Sequence, residues 1–220
     1  MPIFSLSGVN MTVIPFIYHD EDDLMSNTYL IIDNKKNCVV IDPSSPNDGV
    51  VNYIKKNELI CKAVLLTHAH FDHMRGVDKI VQEFSCPLYV GFDDMPGLYD
   101  MYLNCSELCG TEVVLSSKGT PVSENDILHL LDEDIKVIYT PYHTIGSVSY
   151  YLEKSSIIFT GDSLFNGCIG RSDLPTSNRK LIENSLAKLS RLPDDVKVYP
   201  GHGRFTSIGE ERMLNTFVKQ

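Results

Sequence analysis

Hydrophobic residues along the chain fall into short runs separated by polar turns, and these runs predict alternating strands and helices. Strand-like apolar runs occupy 11–18, 28–33, 38–42, 63–66, 88–90, 128–131, 135–139, 147–152, 156–160 and 196–199. Apolar residues recur at helical spacing over 49–56, 77–84, 180–192 and 210–217, which predicts helices there. We also expect a helix over 93–108, broken at Pro96 and Gly97, and turns over the polar segment 116–125. Periodicity alone therefore predicts an α/β or α+β fold.

The apolar run 63–66 leads directly into the densest polar cluster of the chain. It is followed by Thr67-His68-Ala69-His70-Phe71-Asp72-His73. Three of the seven histidines thus lie beside a carboxylate, and imidazole with carboxylate is a ligand set that suits zinc, iron or manganese. Side chains two apart on a strand share a face, so we expect His68 and His70 to point the same way as the strand ends. The alternative is a polar turn with incidental histidines, although such clusters concentrate at functional sites.

Three later strands each lead into another ligand type, preceded by a small residue or a proline. These ligand types are His143, Asp162 and His202, after the runs 135–139, 156–160 and 196–199. Each is a weak signal alone, because an aspartate after glycine is usually a turn and a lone histidine is often structural. Together they lie at strand ends, where α/β proteins build their sites. His19 and His129 lack this setting, and we expect them at the surface.

The order of these residues resembles the metallo-β-lactamase superfamily. The pattern is His-x-His-x-Asp-His, then His, then Gly-Asp, then Pro-Gly-His-Gly, and the match runs from about Asn27 to near the C-terminus. The segments 161–165, 169–175 and 201–203 are similar to glyoxalase II-like (hydroxyacylglutathione hydrolase-like) enzymes, in particular the short, single-domain kind. The resemblance implies an α/β (α+β) fold with four αβ/βα layers, two mixed β-sheets face to face with helices outside. It also implies one domain over 1–220, without the helical C-terminal domain that binds glutathione.

The resemblance further implies a site with two divalent metal ions. One ion would be held by His68, His70 and His143, the other by Asp72, His73 and His202, with Asp162 bridging both. Seven candidate ligands exceed the four of a closed structural zinc site. Two ions about 3.5–4 Å apart can share a water molecule and lower its pKa toward about 7. We expect zinc, with iron or manganese as alternatives, and Asp72 as a catalytic proton acceptor.

Three residues near the predicted ligands, Asp42, Thr67 and Arg171, each have two interpretations. Asp42 could orient a ligand imidazole or form a turn before proline. Thr67 could donate a hydrogen bond to a ligand or be structural. Arg171 could bind the glutathione part of a substrate or pair with Asp173. Cys168 is expected to be a buried, inert thiol.

The resulting functional hypothesis is a thioester hydrolase that converts S-D-lactoylglutathione to D-lactate and glutathione. A thiol leaves as thiolate without much acid assistance, because its pKa is only about 8.5. Glutathione recognition is expected to be weak without the C-terminal domain. Alternatives are a persulfide dioxygenase with one iron at His68, His143 and Asp162, and a hydrolase of another ester or thioester. A β-lactamase is disfavoured because those enzymes do not use the bridging position, and a non-enzymatic module is disfavoured by the intact ligand set.

The net charge and the cysteines indicate which classes of partner and which compartment to expect. A formal net charge of −10 disfavours a nucleic-acid surface and an anionic membrane. No apolar run approaches about 18 residues, and the N-terminus lacks the features of a signal peptide. Cys38, Cys61 and Cys86 lie in or beside apolar runs and are expected to be buried reduced thiols. We therefore expect a cytoplasmic protein with a small-molecule thioester substrate, and no nucleic-acid or membrane partner.

Overall fold

The strands form two sheets. The computed structural model describes residues 4–5, 11–19 and 25–218. The first sheet contains β1 (Phe4–Ser5), β2 (Thr12–His19), β3 (Met25–Ile32), β4 (Asn37–Ile41), β5 (Ile60–Leu65), β6 (Leu88–Gly91) and β7 (Gly119–Val122), in that spatial order. The second contains β8 (Ile127–Leu128), β9 (Ile135–Tyr139), β10 (Val148–Leu152), β11 (Ile157–Gly161), β12 (Lys197–Pro200) and β13 (Thr206–Ser207), also as neighbours in that order.

The helices are short. The α-helices are α1 (Gly49–Lys56), α2 (Phe71–Met74), α3 (Val77–Phe84), α4 (Ile182–Ser190) and α5 (Ile208–Leu214). Segments of 3-10 helix occupy Phe92–Leu98, Glu107–Cys109 and Arg179–Leu181. Among the described residues, no helix combines the length and the apolar character that crossing a membrane requires.

Both sheets are mixed, and the strand directions place the carboxyl ends of several strands at the same edge of a sheet. In the first sheet, β1 to β4 pair antiparallel, whereas β4, β5, β6 and β7 pair parallel. In the second, β9 and β11 are both antiparallel to β10, and β12 is parallel to β11. The strands β9, β11 and β12 therefore run in one direction, and their carboxyl ends share one edge of the sheet.

Three apolar clusters separate four layers. The first cluster includes Ile54 of α1 and Val64 of β5, the second includes Ile31 of β3 and Phe159 of β11, and the third includes Val198 of β12 and Leu186 of α4. The middle cluster lies between the two sheets, and the outer clusters pack helices against their outer faces. Strands β10 and β11 are buried along their whole length because both faces are covered. The predicted four-layer sandwich is confirmed.

Three local predictions were wrong. The segment 93–108 forms 3-10 helix and turns rather than an α-helix, because Pro96 lacks an N–H and Asn104 binds loop carbonyls of Gly97 and Val113. The polar segment 116–125 contains β7, which pairs with β6, so tertiary pairing overrides its turn-like composition. The strand expected over 128–131 is only the two-residue β8.

The cysteines are free thiols. Cys38, Cys61 and Cys86 are buried, as predicted, and the Sγ atoms of Cys61 and Cys86 are 3.8 Å apart. Cys168 is exposed, so the prediction that it is buried was wrong. It lies beside Gly167, whose φ of 75° turns the chain at the surface.

Candidate metal centre

All seven predicted ligands lie where strands end. His68 and His70 follow β5 in a loop, and Asp72 and His73 lie on the single turn of α2. We expected these histidines at the end of the strand itself. The strand already ends at Leu65, so they lie beyond it. Their ring centroids are nevertheless only 4.8 Å apart. From the second sheet, the ends of β9, β11 and β12 supply the other three ligand candidates, His143, Asp162 and His202.

A first group consists of three buried histidines. One ring nitrogen from each of His68, His70 and His143 lies within 4.8 Å of the others. His70 Nδ1 and His143 Nε2 are 2.9 Å apart. Each of these three histidines is at most 4% exposed. Three imidazole nitrogens therefore converge on one point that is shielded from solvent.

A second group consists of Asp72, His73 and His202. The Nε2 atoms of His73 and His202 are 3.2 Å apart. Asp72 Oδ2 lies 3.5 Å from His73 Nε2 and 3.3 Å from His202 Nε2. The His202 side chain is 26% exposed, more than any other in the two groups, so this group lies nearer to solvent.

Asp162 lies between the two groups. Its Oδ2 is 3.3 Å from His143 Nε2 in the first group and 3.5 Å from His202 Nε2 in the second. Its Oδ1 is 3.4 Å from His73 Nε2. One carboxylate thus reaches the ligand atoms of both groups.

Hydrogen bonds orient three of the imidazoles. His143 Nδ1 donates to the carbonyl oxygen of Arg171 at 2.8 Å. His73 Nδ1 donates to Asp42 Oδ2 at 3.0 Å. His68 Nδ1 lies 3.1 Å from the hydroxyl oxygen of Thr67. With the proton on Nδ1, each ring turns the lone pair of Nε2 toward its group.

Asp42 and Thr67 form the support of this arrangement. Thr67 donates to Asp42 from its backbone N–H at 2.7 Å and from its hydroxyl at 2.6 Å. One interpretation expected Thr67 to donate a hydrogen bond to a ligand. Because its hydroxyl proton is directed to Asp42, the Thr67 oxygen instead accepts a hydrogen bond from His68. Asp42 adopts a φ of 47°, and its bonds to Thr67 and His73 hold this unfavourable conformation.

Divalent metal ions fit these residues. His68 Nε2 and Asp162 Oδ1 are buried and have no hydrogen-bond partner among the described residues. Buried polar atoms are nearly always paired, so such atoms point to a missing partner. The donor set of imidazole nitrogens and carboxylate oxygens suits zinc, iron or manganese.

Comparison with known proteins identifies the family. The family model described as "Metallo-beta-lactamase superfamily" matches residues 22–202. The chain belongs to the metallo-β-lactamase superfamily. This confirms the resemblance on which the fold prediction was based.

Two relatives match nearly the whole chain. A probable metallo-hydrolase, YqgX of Bacillus subtilis, is 33% identical over 197 residues, which are 89% of this chain and 93% of the relative. The hydroxyacylglutathione hydrolase GloC of Haemophilus influenzae is 29% identical, over 96% of this chain and 98% of the relative.

Two solved structures are also similar to this chain. The BLEG-1 B3 metallo-beta-lactamase has a TM-score of 0.87 and 33% identity, and the match covers 94% of this chain and all of that chain. TTHA1623 in a di-iron-bound form has a TM-score of 0.75 and 28% identity, over 99% of this chain and all of that chain.

Two histidines of the first group, His68 and His70, are neutral at physiological pH. Burial lowers the pKa of His68 well below its usual value, and the neighbouring imidazole of His73 adds to the effect. Burial and His143 lower the pKa of His70 to about 3. Neutral imidazole is the form that binds metal, so these rings need not lose a proton first.

The second group combines charges of opposite sign. Burial alone would lower the pKa of His73, but the carboxylates of Asp72, Asp162 and Asp42 raise it to about 10. Burial is likewise outweighed for His202, whose pKa is raised by Asp162 and Asp72. The pKa values of Asp72 and Asp162 are lowered by the neighbouring imidazoles despite burial. Without metal, this superfamily site therefore holds protons that a bound ion would displace.

Two glycines next to ligand candidates make room for the site. A Cβ atom on Gly161, which has a φ of 48°, would lie 2.2 Å from Thr67 Oγ1. A Cβ atom on Gly201 would lie 2.3 Å from Asp162 Oδ1 and 2.6 Å from His73 Cε1. The glycines directly before Asp162 and His202 are thus a steric requirement of this site.

Sequence reasoning missed the start of β3. Asn27 donates through Nδ2 to the carbonyl oxygens of Pro200 and Gly203 at 3.0 and 3.1 Å, on both sides of His202. Ser26 donates to the backbone carbonyl of Asp72 at 2.9 Å. The signal that could have found them is a polar pair directly before the predicted strand 28–33, because polar side chains that become buried need partners.

The remaining candidates lie outside the two groups. The side chains of Arg171 and Asp173 form two bonds of 2.7 and 2.9 Å and are both largely exposed. His129 is exposed, as predicted, and pairs with Asp134 at 2.6 Å. The side chain of His19 lies outside the described residues.

Proposed function

We propose that this chain is a hydrolase that uses two divalent metal ions, zinc being the first candidate, to cleave a thioester. S-D-lactoylglutathione is the proposed substrate, with D-lactate and glutathione as products. The single observation that carries the proposal is Asp162, whose carboxylate reaches ligand atoms of both groups. A mononuclear site does not need this arrangement.

The proposed ligands follow the two groups. They are His68, His70 and His143 for one ion and Asp72, His73 and His202 for the other, with Asp162 shared. When bound, such a pair supplies an ionised water near neutral pH and polarises the substrate carbonyl. Asp42 and Thr67 keep two ligand imidazoles in the required orientation.

Asp72 is the proposed proton acceptor. Its carboxyl stays ionised because the imidazoles of His73 and His202 lower its pKa despite burial. In the reaction, the attacking water gives a proton to Asp72 and forms the new C–O bond. The C–S bond then breaks, and the thiol leaves as a thiolate that solvent can protonate, because its pKa is about 8.5.

The thioester class is supported by chemistry and by likeness. A thiolate leaving group needs little protonation, so the proposed reaction requires no general acid beyond the proposed ligands. The relative GloC is named a hydroxyacylglutathione hydrolase, and it aligns with this chain over 96% of the length. These observations support a glutathione thioester as the substrate class.

The test combines metal analysis with a thiol assay. Purified protein should contain close to two metals per chain, and glutathione release from S-D-lactoylglutathione should exceed that of a metal-stripped control. No release above this control would contradict the thioester assignment. One iron per chain, unchanged on adding metal, together with oxygen uptake on glutathione persulfide, would instead identify a persulfide dioxygenase.

A second candidate is β-lactam hydrolysis. It is favoured by the TM-score of 0.87 to the BLEG-1 B3 metallo-beta-lactamase. A chromogenic cephalosporin assayed beside the lactoyl thioester separates the two. We expect the thioester to have the higher kcat/KM, and the reverse order would make the β-lactam the better substrate class.

Arg171 is the proposed contact to the glutathione part of the substrate. Arg171→Ala should raise KM by up to about tenfold, because an exposed charge-assisted hydrogen bond contributes about 1 kcal/mol or slightly more. Metal content should not change. Arg179→Ala, an exposed arginine nearby in sequence, is the matched control. An unchanged KM in the Arg171 variant would leave its ion pair with Asp173 as its only role.

The setting of the enzyme stays a prediction. We infer a cytoplasmic location and one domain over 1–220. The buried free thiols of Cys38, Cys61, Cys86 and Cys105 support a reducing compartment.

A further inference from the structure

A fourth buried carboxylate lies near the histidines, besides Asp42, Asp72 and Asp162, and it belongs to neither ligand group. Asp94 lies on the 3-10 helix Phe92–Leu98 that follows β6, and it is only 4% exposed. A buried carboxylate is costly unless hydrogen bonds compensate for lost hydration. The partners of Asp94 therefore indicate what the carboxylate does.

Asp94 accepts three hydrogen bonds from two loops. The backbone N–H of Ala69 donates to Oδ2 at 2.9 Å, and the hydroxyl of Thr144 donates to the same oxygen at 2.7 Å. The backbone N–H of Gly146 donates to Oδ1 at 2.9 Å. Ala69 lies between His68 and His70, and Thr144 directly follows His143. One side chain thus joins the two loops that carry the whole first group.

We infer that Asp94 is a positioning residue, which holds the loop of His68 and His70 against the loop of His143 so that their three nitrogens converge before an ion binds. The inference rests on the proposed metal site. It assigns Asp94 to the first group, because its donors lie between His68 and His70 or directly after His143, whereas Asp72 and His73 lie on α2 and His202 follows β12.

Packing shows that this position accepts little variation. A Cβ atom on Gly146 would lie 2.5 Å from Asp94 Oδ1, so the glycine makes room for the carboxylate. Burial raises the pKa of Asp94, and the bonds from Thr144, Ala69 and Gly146 oppose that rise. An asparagine has one acceptor oxygen instead of two, so its NH₂ group would face at least one of these donors.

The loops have a second connection, which should keep an Asp94 variant folded. The backbone N–H of Val148 donates to the carbonyl of Thr67 at 2.8 Å. Loss of the Asp94 bonds should therefore loosen the convergence of the histidines without separating the sheets. This allows a metal-binding effect to be measured on a folded protein.

Asp94→Asn tests the inference in two backgrounds. His202→Ala weakens the second group and leaves the first, whereas His143→Ala does the opposite. Zinc affinity is measured by competition with a chelating dye. Asp94→Asn should lower it about 10–100-fold in the His202→Ala background, the usual effect of losing a residue that supports a metal ligand. It should leave the affinity unchanged in the His143→Ala background.

Asp93→Asn is the matched control. Asp93 is the adjacent residue, is exposed, and bonds to the hydroxyl of Tyr139 rather than to a ligand loop. It should leave zinc affinity unchanged in both backgrounds. If Asp94→Asn fails to fold, Thr144→Val removes one donor instead, and Thr144→Ser, which keeps the hydroxyl, should restore the affinity.

A metal-free measurement keeps this inference separate from the proposed function. In NMR spectra of nitrogen-labelled histidine, Asp94→Asn should move the ring signals of His70 and His143 and leave those of His202 in place. Absence of zinc binding by the unmodified protein would overturn the proposed function, while these spectra would still test Asp94. Equal losses of zinc affinity in both backgrounds, no loss in either, or unmoved ring signals would overturn the positioning role.

Discussion

At the scale of single residues, the carboxylate of Asp162 contacts both ligand groups. It is the residue whose oxygens lie within 3.5 Å of nitrogens from both groups. Its neighbours keep it ionised, because three imidazoles lower its pKa against the effect of burial. A shared ligand of this kind couples the occupancy of the two proposed ion sites.

Asp162→Ala should therefore abolish hydrolysis and reduce the metal content. We expect kcat/KM to fall by more than about 100-fold, since loss of even a supporting residue costs about 10–100-fold. Metal analysis and the thiol-release assay measure both effects. His129→Ala is the control, because His129 is exposed and pairs only with Asp134 among the described contacts. An Asp162 variant that keeps its activity would refute the shared-ligand assignment.

At the scale of elements, the start of β3 acts as a brace for the second group. Ser26 binds the backbone of α2 at Asp72, and Asn27 binds the loop that carries His202. The N–H of Asn27 also donates to the carbonyl of Gly201 at 2.8 Å. A strand of the first sheet thereby fixes a ligand loop of the second.

Asn27→Ala should destabilise the protein by about 1–3 kcal/mol, because carbonyl groups around His202 lose buried hydrogen-bond donors. It should also weaken metal binding at the second group. Urea unfolding of the metal-free protein measures the first effect, and zinc titration measures the second. Asn57→Ala is the control, since Asn57 makes a similar bond to Tyr53 on the exposed end of α1. Equal effects of the two variants would contradict the bracing role.

At the scale of the whole molecule, metal binding and stability are linked through protons. In the metal-free protein the pKa of His73 is about 10, above its unfolded value. The protonated ring therefore stabilises the metal-free fold at low pH, and this contribution declines as pH rises from about 6.5 toward about 10. A bound ion needs the neutral ring, so zinc binding becomes more favourable as pH rises.

The stabilisation by zinc should thus increase between about pH 6 and about pH 8. Each released proton adds about 1.4 kcal/mol per pH unit to the binding free energy, which appears as added stability. Thermal unfolding of zinc-loaded and chelated protein over this pH range measures the difference in Tm. His73→Ala should make the dependence less steep, because it removes one of the two rings of the second group whose pKa is raised. A difference in Tm that is constant or falls with pH would contradict the prediction.

The fold and most of the site could be predicted from sequence where the information is local. The ligand types of the motif 67–73 are set by residue identity, and apolar runs placed each candidate after a strand. The superfamily pattern then implied the two facing sheets, which are present. Local spacing failed over 93–108, where the side chain of Asn104 and the ring of Pro96 favour 3-10 helix and turns.

The sequence by itself determined the chemistry of this protein, because imidazole and carboxylate keep their metal preference wherever they are placed. Only the tertiary structure decided which atoms meet. Asn27 reaches Pro200 across 173 residues of chain, and Asp94 reaches Gly146 across 52. Such contacts carry no periodic signal, since they depend on how two sheets pack rather than on neighbouring residues. The orientation of each ring, the central place of Asp162 and the support by Asn27 and Asp94 follow from that packing.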